Sequence, residues 1–187
     1  GDYLNQKKVG DSYQLFLNDS LLLHQGEDDY YQFYLNDQGD YLFAEGRKPR
    51  NDEPYSYSYM FFLHTKDSVF GPVRTAWDVH LAENGAYYFT GDDDGPDYIL
   101  INDVFLRDVS KVENILLLDK NNFLFTYEKE GRTWLNVNGD TYALNYEQIY
   151  HPRMDCDGNF ALYGLRDYYL YKFVNGKEIP EPISNYG

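Results

Sequence analysis

Residues 121–144 read NNFLFTYEKEGRTWLNVNGDTYAL. Asn122–Glu128 alternates with an aromatic stripe through Phe123 and Phe125, and Thr133–Val137 alternates around Trp134. Period 2 with aromatic enrichment argues for strands. Asn138-Gly139 joins the second run to a third, Thr141–Tyr146. Asn-Gly between two such runs marks a hairpin, because both central residues of the favoured turn need φ > 0. An apolar run, Asn114–Asp119, precedes the quoted stretch and completes a group of four short strands.

The same pattern recurs. An anchor aromatic is followed fifteen residues later by a polar turn dipeptide: Phe123, paired with Phe125, and Asn138-Gly139; Tyr87, paired with Phe89, and Asn102-Asp103; Phe160, with Leu162 at i+2, and Asn175-Gly176; Tyr3 and Asn18-Asp19. Tyr41-Leu42-Phe43 fits too, but its turn arrives at Lys66-Asp67, about ten residues late; the charged, proline-bearing stretch 47–54 supplies the excess. Gly39, Gly85 and Gly158 mark the turn before the aromatic pair. No segment sustains helical spacing, and Leu21–Leu23 and Ile115–Leu118 are short enough to be strands buried on both faces. Five units follow, 1–26, 27–75, 76–112, 113–148 and 149–187, within one domain spanning 1–187.

Four antiparallel strands per 36–46 residues predict an all-β fold, a small five-bladed β-propeller of four-stranded blades. The first unit begins at its second strand, so its blade is expected to be incomplete. Either the ring closes with one three-stranded blade or the chain is a piece of something larger. Nothing after Ile183 looks long enough to supply a further strand. The units also resemble the WD40-like and TolB-like propeller repeats of bacterial exported proteins. The fifth carries the resemblance in Met154–Gly158, Asn159–Tyr163 and Tyr168–Gly176. That resemblance implies fold and surface type, and no activity. With the Tyr/Asn/Asp-rich composition, it places the protein in the periplasm, on the cell surface or outside the cell.

Sixteen basic residues face 31 acidic ones, a net charge of −15. Such a surface repels phosphate backbones and anionic lipid at range, which argues against nucleic-acid binding. No 18-residue apolar run exists to span a membrane. A lone cysteine, Cys156, rules out an intrachain disulfide.

Candidate chemistry is thin. Asp92, Asp93, Asp94 and Asp97 form an acidic loop that could hold Ca²⁺, although Asp, Gly and Pro are also what a solvated hairpin tip uses. Asp155–Asn159 opens like a calcium loop, but Gly164 stands where an EF-hand needs glutamate. Cys156 near His151 is better read as a small buried side chain in a repeat strand. His80 and His151 lie on leading strands, which in propellers line the central channel. Asp78, Glu83, Asp119, Asp155 and Asp157 lie on or just after leading strands and are raw material for a glycosidase. No other cofactor is expected.

Tyrosine is the best lead, at 21 residues. Most should pack blade on blade. A surplus in the insertion and loops, Tyr55, Tyr57, Tyr127, Tyr146 and Tyr150, is expected to make an exposed contact surface, joined by His80 and His151. The sequence therefore predicts a non-catalytic binding or scaffolding module that engages a protein through propeller-face loops. Lectin-like carbohydrate binding and a propeller glycoside hydrolase are the alternatives. A repeated lectin site would place one polar–aromatic set in the same loop of every unit, and the loops share none.

Overall fold

Asparagine at the turn positions decides how each module closes. In the computed structural model, which describes residues 2–10, 12–25, 30–47, 60–92, 96–180 and 183–185, the four asparagines at these turns sit in the left-handed region. Their φ values are 50° for Asn18, 42° for Asn102, 54° for Asn138 and 46° for Asn175. Each is followed by a second left-handed residue, Asp19, Asp103, Gly139 or Gly176. These are the paired positive φ angles of a tight hairpin matched to strand twist. The asparagine Oδ1 then accepts the N–H of the aromatic residue fifteen positions back, at 2.9 Å for Tyr3, 2.8 Å for Tyr87, 2.8 Å for Phe123 and 2.7 Å for Phe160. The asparagine N–H returns a bond to the same residue's carbonyl at 3.0–3.1 Å. The fifteen-residue offset is thus a two-bond clasp between the start of one strand and the far end of the next. The second module has no such asparagine; Thr65 Oγ1 caps its turn by accepting from Asp67 and Ser68.

Asn138→Ala is expected to destabilise the protein by about 2 kcal/mol, combining a strained φ with an orphaned N–H at Phe123. Asn138→Gly relieves the strain alone and should cost about half as much. Urea unfolding of the two variants separates the terms.

The first module is a three-stranded sheet of β1 (Leu4–Val9), β2 (Ser12–Leu17) and β3 (Ser20–Gln25). The second is β4 (Tyr30–Leu35), β5 (Tyr41–Arg47), β6 (Met60–Thr65) and β7 (Val69–Val73). Modules three and four share a seven-stranded sheet: β8 (Asp78–Leu81), β9 (Tyr87–Asp92), β10 (Asp97–Ile101), β11 (Val104–Leu117), β12 (Phe123–Lys129), β13 (Arg132–Val137) and β14 (Asp140–Leu144). The last is β15 (Gln148–Met154), β16 (Phe160–Arg166), β17 (Tyr169–Val174) and β18 (Lys177–Glu178), with β19 (Ser184–Asn185) also on β17. Every pairing is antiparallel. The described residues contain no helix, and therefore none long and apolar enough to cross a membrane.

Two details differ from the sequence reading. The boundary expected at 112/113 falls inside one continuous strand. The first half of β11 pairs with β10 and its second half with β12, and the strand bends at Asp108, Lys111 and Asn114, all at positive φ. Beyond Ile183, where no strand was expected, Ser184 and Asn185 pair with Leu170 and Tyr169. They extend the edge that β18 begins at Phe173 and Val174.

The core lies between modules. Tyr87, Phe89, Tyr98 and Leu100 pack back onto Leu42, Ala44, Leu63 and Val73 of the second module. Phe123, Phe125 and Tyr127 pack back onto Ile99, Ile101 and Val109. Phe160, Leu162 and Phe173 pack back onto Leu124, Leu135, Val137 and Leu144. Alternation along a strand sends the aromatic pair to one face and the intervening residues to the other, so modules three and four are buried on both sides. Asparagine amides tie neighbouring turns together. Asn36 Nδ2 donates to Ala82 O at 3.0 Å, Asn84 Nδ2 to Leu118 O at 2.6 Å and Asn122 Nδ2 to Cys156 O at 3.3 Å.

Candidate functional site

The turns between first and second strands and between third and fourth strands lie at one end of each module. Between the turns of modules two, three and four they enclose a cleft of about 300 Å³. Tyr41 and Leu42 enter it from the start of β5, and Lys66-Asp67 from the turn after β6. Tyr87 and Asn102-Asp103 come from the clasp of module three, and Lys120-Asn121 from the first turn of module four. Gly85 forms part of the wall: its φ of +77° favours glycine, and a Cβ there would lie 2.3 Å from Asp40 Oδ2, so the Asp40 side chain would have to shift.

The electrostatics are mixed. Asp40, Asp67 and Asp103 face Lys66 and Lys120. Asp40 Oδ1 is shared loosely between them, 3.7 Å from Lys66 Nζ and 3.9 Å from Lys120 Nζ. Tyr87 donates its hydroxyl proton to Asp103 Oδ1 at 2.6 Å and accepts from the Asp103 N–H at 3.1 Å. Burial, then the Asp103 hydrogen bond, holds the Tyr87 phenol well above its ordinary pKa. Burial, then the charge of Asp67, raises Tyr41. Both remain protonated donors. The cleft therefore offers ammonium, amide and phenol donors beside carboxylate acceptors, over an apolar floor of Leu42 and Leu81.

Two of the carboxyls considered for hydrolysis, Asp119 and Asp155, are engaged locally. Asp119 and Asp155 each accept hydrogen bonds inside their own turns, from Asn122 and Asn159 side chains and from backbone N–H groups. Those bonds lower both pKa values, Asn122 and Asn159 side chains contributing most. A general acid needs a shift upward.

The residues expected to bind a partner scatter. Tyr55, Tyr57, Asp93 and Asp94 lie outside the described residues. Asp92 and Asp97 face each other across β9 and β10, and Asp92 N–H bonds Thr75 Oγ1 at 2.8 Å. Among the described residues no group of three His, Cys, Asp or Glu is placed to hold a metal. Tyr127 and Tyr146 are 5% and 8% exposed, so the expected exposed contact surface is corrected at both. Tyr127 continues the Phe123, Phe125 stripe into the inter-module core. Tyr146 lies over Gly164 and donates to Glu178 Oε2 at 2.7 Å. Tyr150 is half-buried, with its hydroxyl on Gln148 Oε1. His80 is exposed on β8 and stacks on Tyr88; His151 is exposed on β15, in a different sheet.

One charged cluster went unread in the sequence. Glu45, only 2% exposed, accepts from Arg47 NH2 at 2.8 Å and lies 2.7 Å from His64 Nε2; Arg47 Nε is also bonded to it. The His64 ring stacks on Phe43 with centroids 4.2 Å apart. His64, Tyr41 and Phe43 line a second groove of about 320 Å³, which meets the cleft at Thr65–Asp67. The available signal was positional. Four residues after the anchor aromatic stand Gly91 in module three and Gly164 in module five, and Glu45 occupies that place in module two.

No family model matches this chain, and neither a curated protein nor a solved structure is significantly similar to it.

Proposed function

We propose that the chain is a non-catalytic binding module built as a small propeller-type array of five blades, of the WD40-like or TolB-like kind, and that it works outside the bacterial cytoplasm. Its partner is a protein, held by a protruding polar side chain in the turn-end cleft. The observation that carries this reading is the cleft itself: about 300 Å³, with Lys and Asp side chains converging beside two tyrosines. Ligand sites are commonly concave, with a few convergent polar groups on an apolar floor. The cleft depends on the second module's Lys66-Asp67 turn, which the other modules replace by the asparagine clasp. That favours one site over a lectin-like site on every blade.

Peptide and glycan arrays, read with wild type and with an Asp67→Lys/Lys120→Glu double variant, test the proposal. Peptide signals that fall about tenfold or more in the variant are expected. Glycan signals lost in the variant would transfer the cleft to a carbohydrate. Signals indifferent to the variant would remove the cleft from the account.

A further inference from the structure

The front face of the fifth module is where the repeat logic breaks. Modules four and five superpose by position at an offset of 160 − 123 = 37 residues, and their registers agree. Leu116 pairs with Leu124, Leu124 with Val137 and Thr126 with Leu135; Arg153 pairs with Ala161, Ala161 with Val174 and Tyr163 with Lys172. Even the bulge is kept, with Asn114 at φ 53° and His151 at φ 49°. In module four this face is apolar and buried: Leu124 and Leu135 are 0% exposed beneath the aromatic residues of module five. In module five the same places carry Arg153 for Leu116, Lys172 for Leu135 and His151 for Asn114. His151 and Arg153 are exposed, and Lys172 and Tyr163 are half-buried.

Together with Ala161 these four residues line a groove of about 300 Å³. His151, Arg153 and Lys172 have no ion-pair or side-chain hydrogen-bond partner among the described residues. The carboxylate beside Arg153, Asp155, is already engaged by the Asp157 and Asn159 N–H groups and the Asn159 amide. In a chain of 31 acidic residues against 16 basic, two cations on one face with no partner among the described residues, Arg153 and Lys172, call for a counter-charge.

We propose that this face is a second binding site, for an acidic peptide segment of a protein partner. Arg153 and Lys172, in neighbouring rows of the sheet, suit carboxylates at alternate positions of an extended chain. Arginine offers a planar fork matched to a carboxylate, and Tyr163 between them gives the peptide stem an apolar rest. The −15 net charge does not forbid this, because charges beyond about 8 Å are largely screened at physiological salt.

Fluorescence anisotropy with a labelled octaglutamate peptide tests the site, with octaglutamine as the neutral control. Binding of octaglutamate alone is expected, at low salt of about 50 mM and weakening as salt rises. Arg153→Glu and Lys172→Glu should each weaken it by about tenfold or more, and Lys129→Glu should leave it unchanged. If a reversal unfolds the protein, as judged by circular dichroism, Arg153→Gln and Lys172→Gln carry the same expectation at smaller amplitude. Absence of binding, equal binding of the two peptides, or variants that bind as wild type would overturn the proposal. A sulfated oligosaccharide that binds through these residues while octaglutamate does not would overturn it as well.

Discussion

Gly164→Ala is expected to destabilise the protein by about 4 kcal/mol, at the upper end for a single added methyl. The new Cβ would lie 2.1, 2.3 and 2.4 Å from three ring atoms of Tyr146. Gly164 does not have a positive φ, so alanine suits the backbone and the conflict is purely steric. The ring has nowhere to retreat. Its hydroxyl is held by Glu178, which Arg166 grips at 3.1 and 3.0 Å, and the Arg166 guanidinium lies 4.3 Å over Tyr171. Tyr146 stands on the connection from β14 to β15, so the wedge fixes how module five sits on module four. Tyr146→Ala alone should cost about 3 kcal/mol, and the double variant should cost at least about 2 kcal/mol less than the sum of the two singles. Urea unfolding measures all three. A Gly164→Ala protein within about 1 kcal/mol of wild type would show that the ring is not seated there.

Glu45→Gln is expected to cost about 3 kcal/mol near neutral pH, because the buried carboxylate that His64 and Arg47 bond becomes a neutral amide. Burial pushes the Glu45 carboxyl up, but the hydrogen bonds from His64 and Arg47 outweigh it and bring the folded value from 4.5 down to about 2. On acidification the unfolded chain therefore takes up this proton first. The stabilisation is complete above pH 4.5 and drains away as pH falls toward about 2. The shift corresponds to a contribution on the order of 3 kcal/mol. Asp19, Asp119, Asp155 and Glu178 also have lowered values and add to acid sensitivity in both proteins, so the difference between wild type and Glu45→Gln isolates Glu45. That difference should close between pH 5 and 2. Parallel stability curves across this range would show that the carboxylate is not held by its two partners.

The local parts of the architecture could be read from the sequence because their causes are local. Asn138-Gly139 must turn, Phe123 and Phe125 must share a face, and the offset of fifteen residues is a hydrogen-bonded clasp between the ends of one strand pair. Where the cause lay in another module, the reading failed. Tyr127 and Tyr146 were taken for loop residues, yet their burial is decided by Ile99 and Gly164, which lie 28 and 18 positions away. The unit boundary at 112/113 had no glycine or proline to mark it, and the strand runs through. The cleft was invisible for the same reason: Asp40, Asp103 and Lys120 are ordinary turn residues in their own modules and become a site only when three modules meet. Glu45 stands where modules three and five carry glycine and module four carries Tyr127, so its burial shows only after the modules are aligned residue by residue.

The central claim is that the turn-end cleft of modules two to four is where this protein holds its ligand. Amide chemical shifts, followed while a library of small polar fragments is titrated in, test it most directly. The account predicts that responsive amides gather around Tyr41, Gly85, Asn102, Asp103 and Lys120, and that Asp67→Lys/Lys120→Glu abolishes the response. Fragment responses centred anywhere else, or undiminished in that variant, would contradict it.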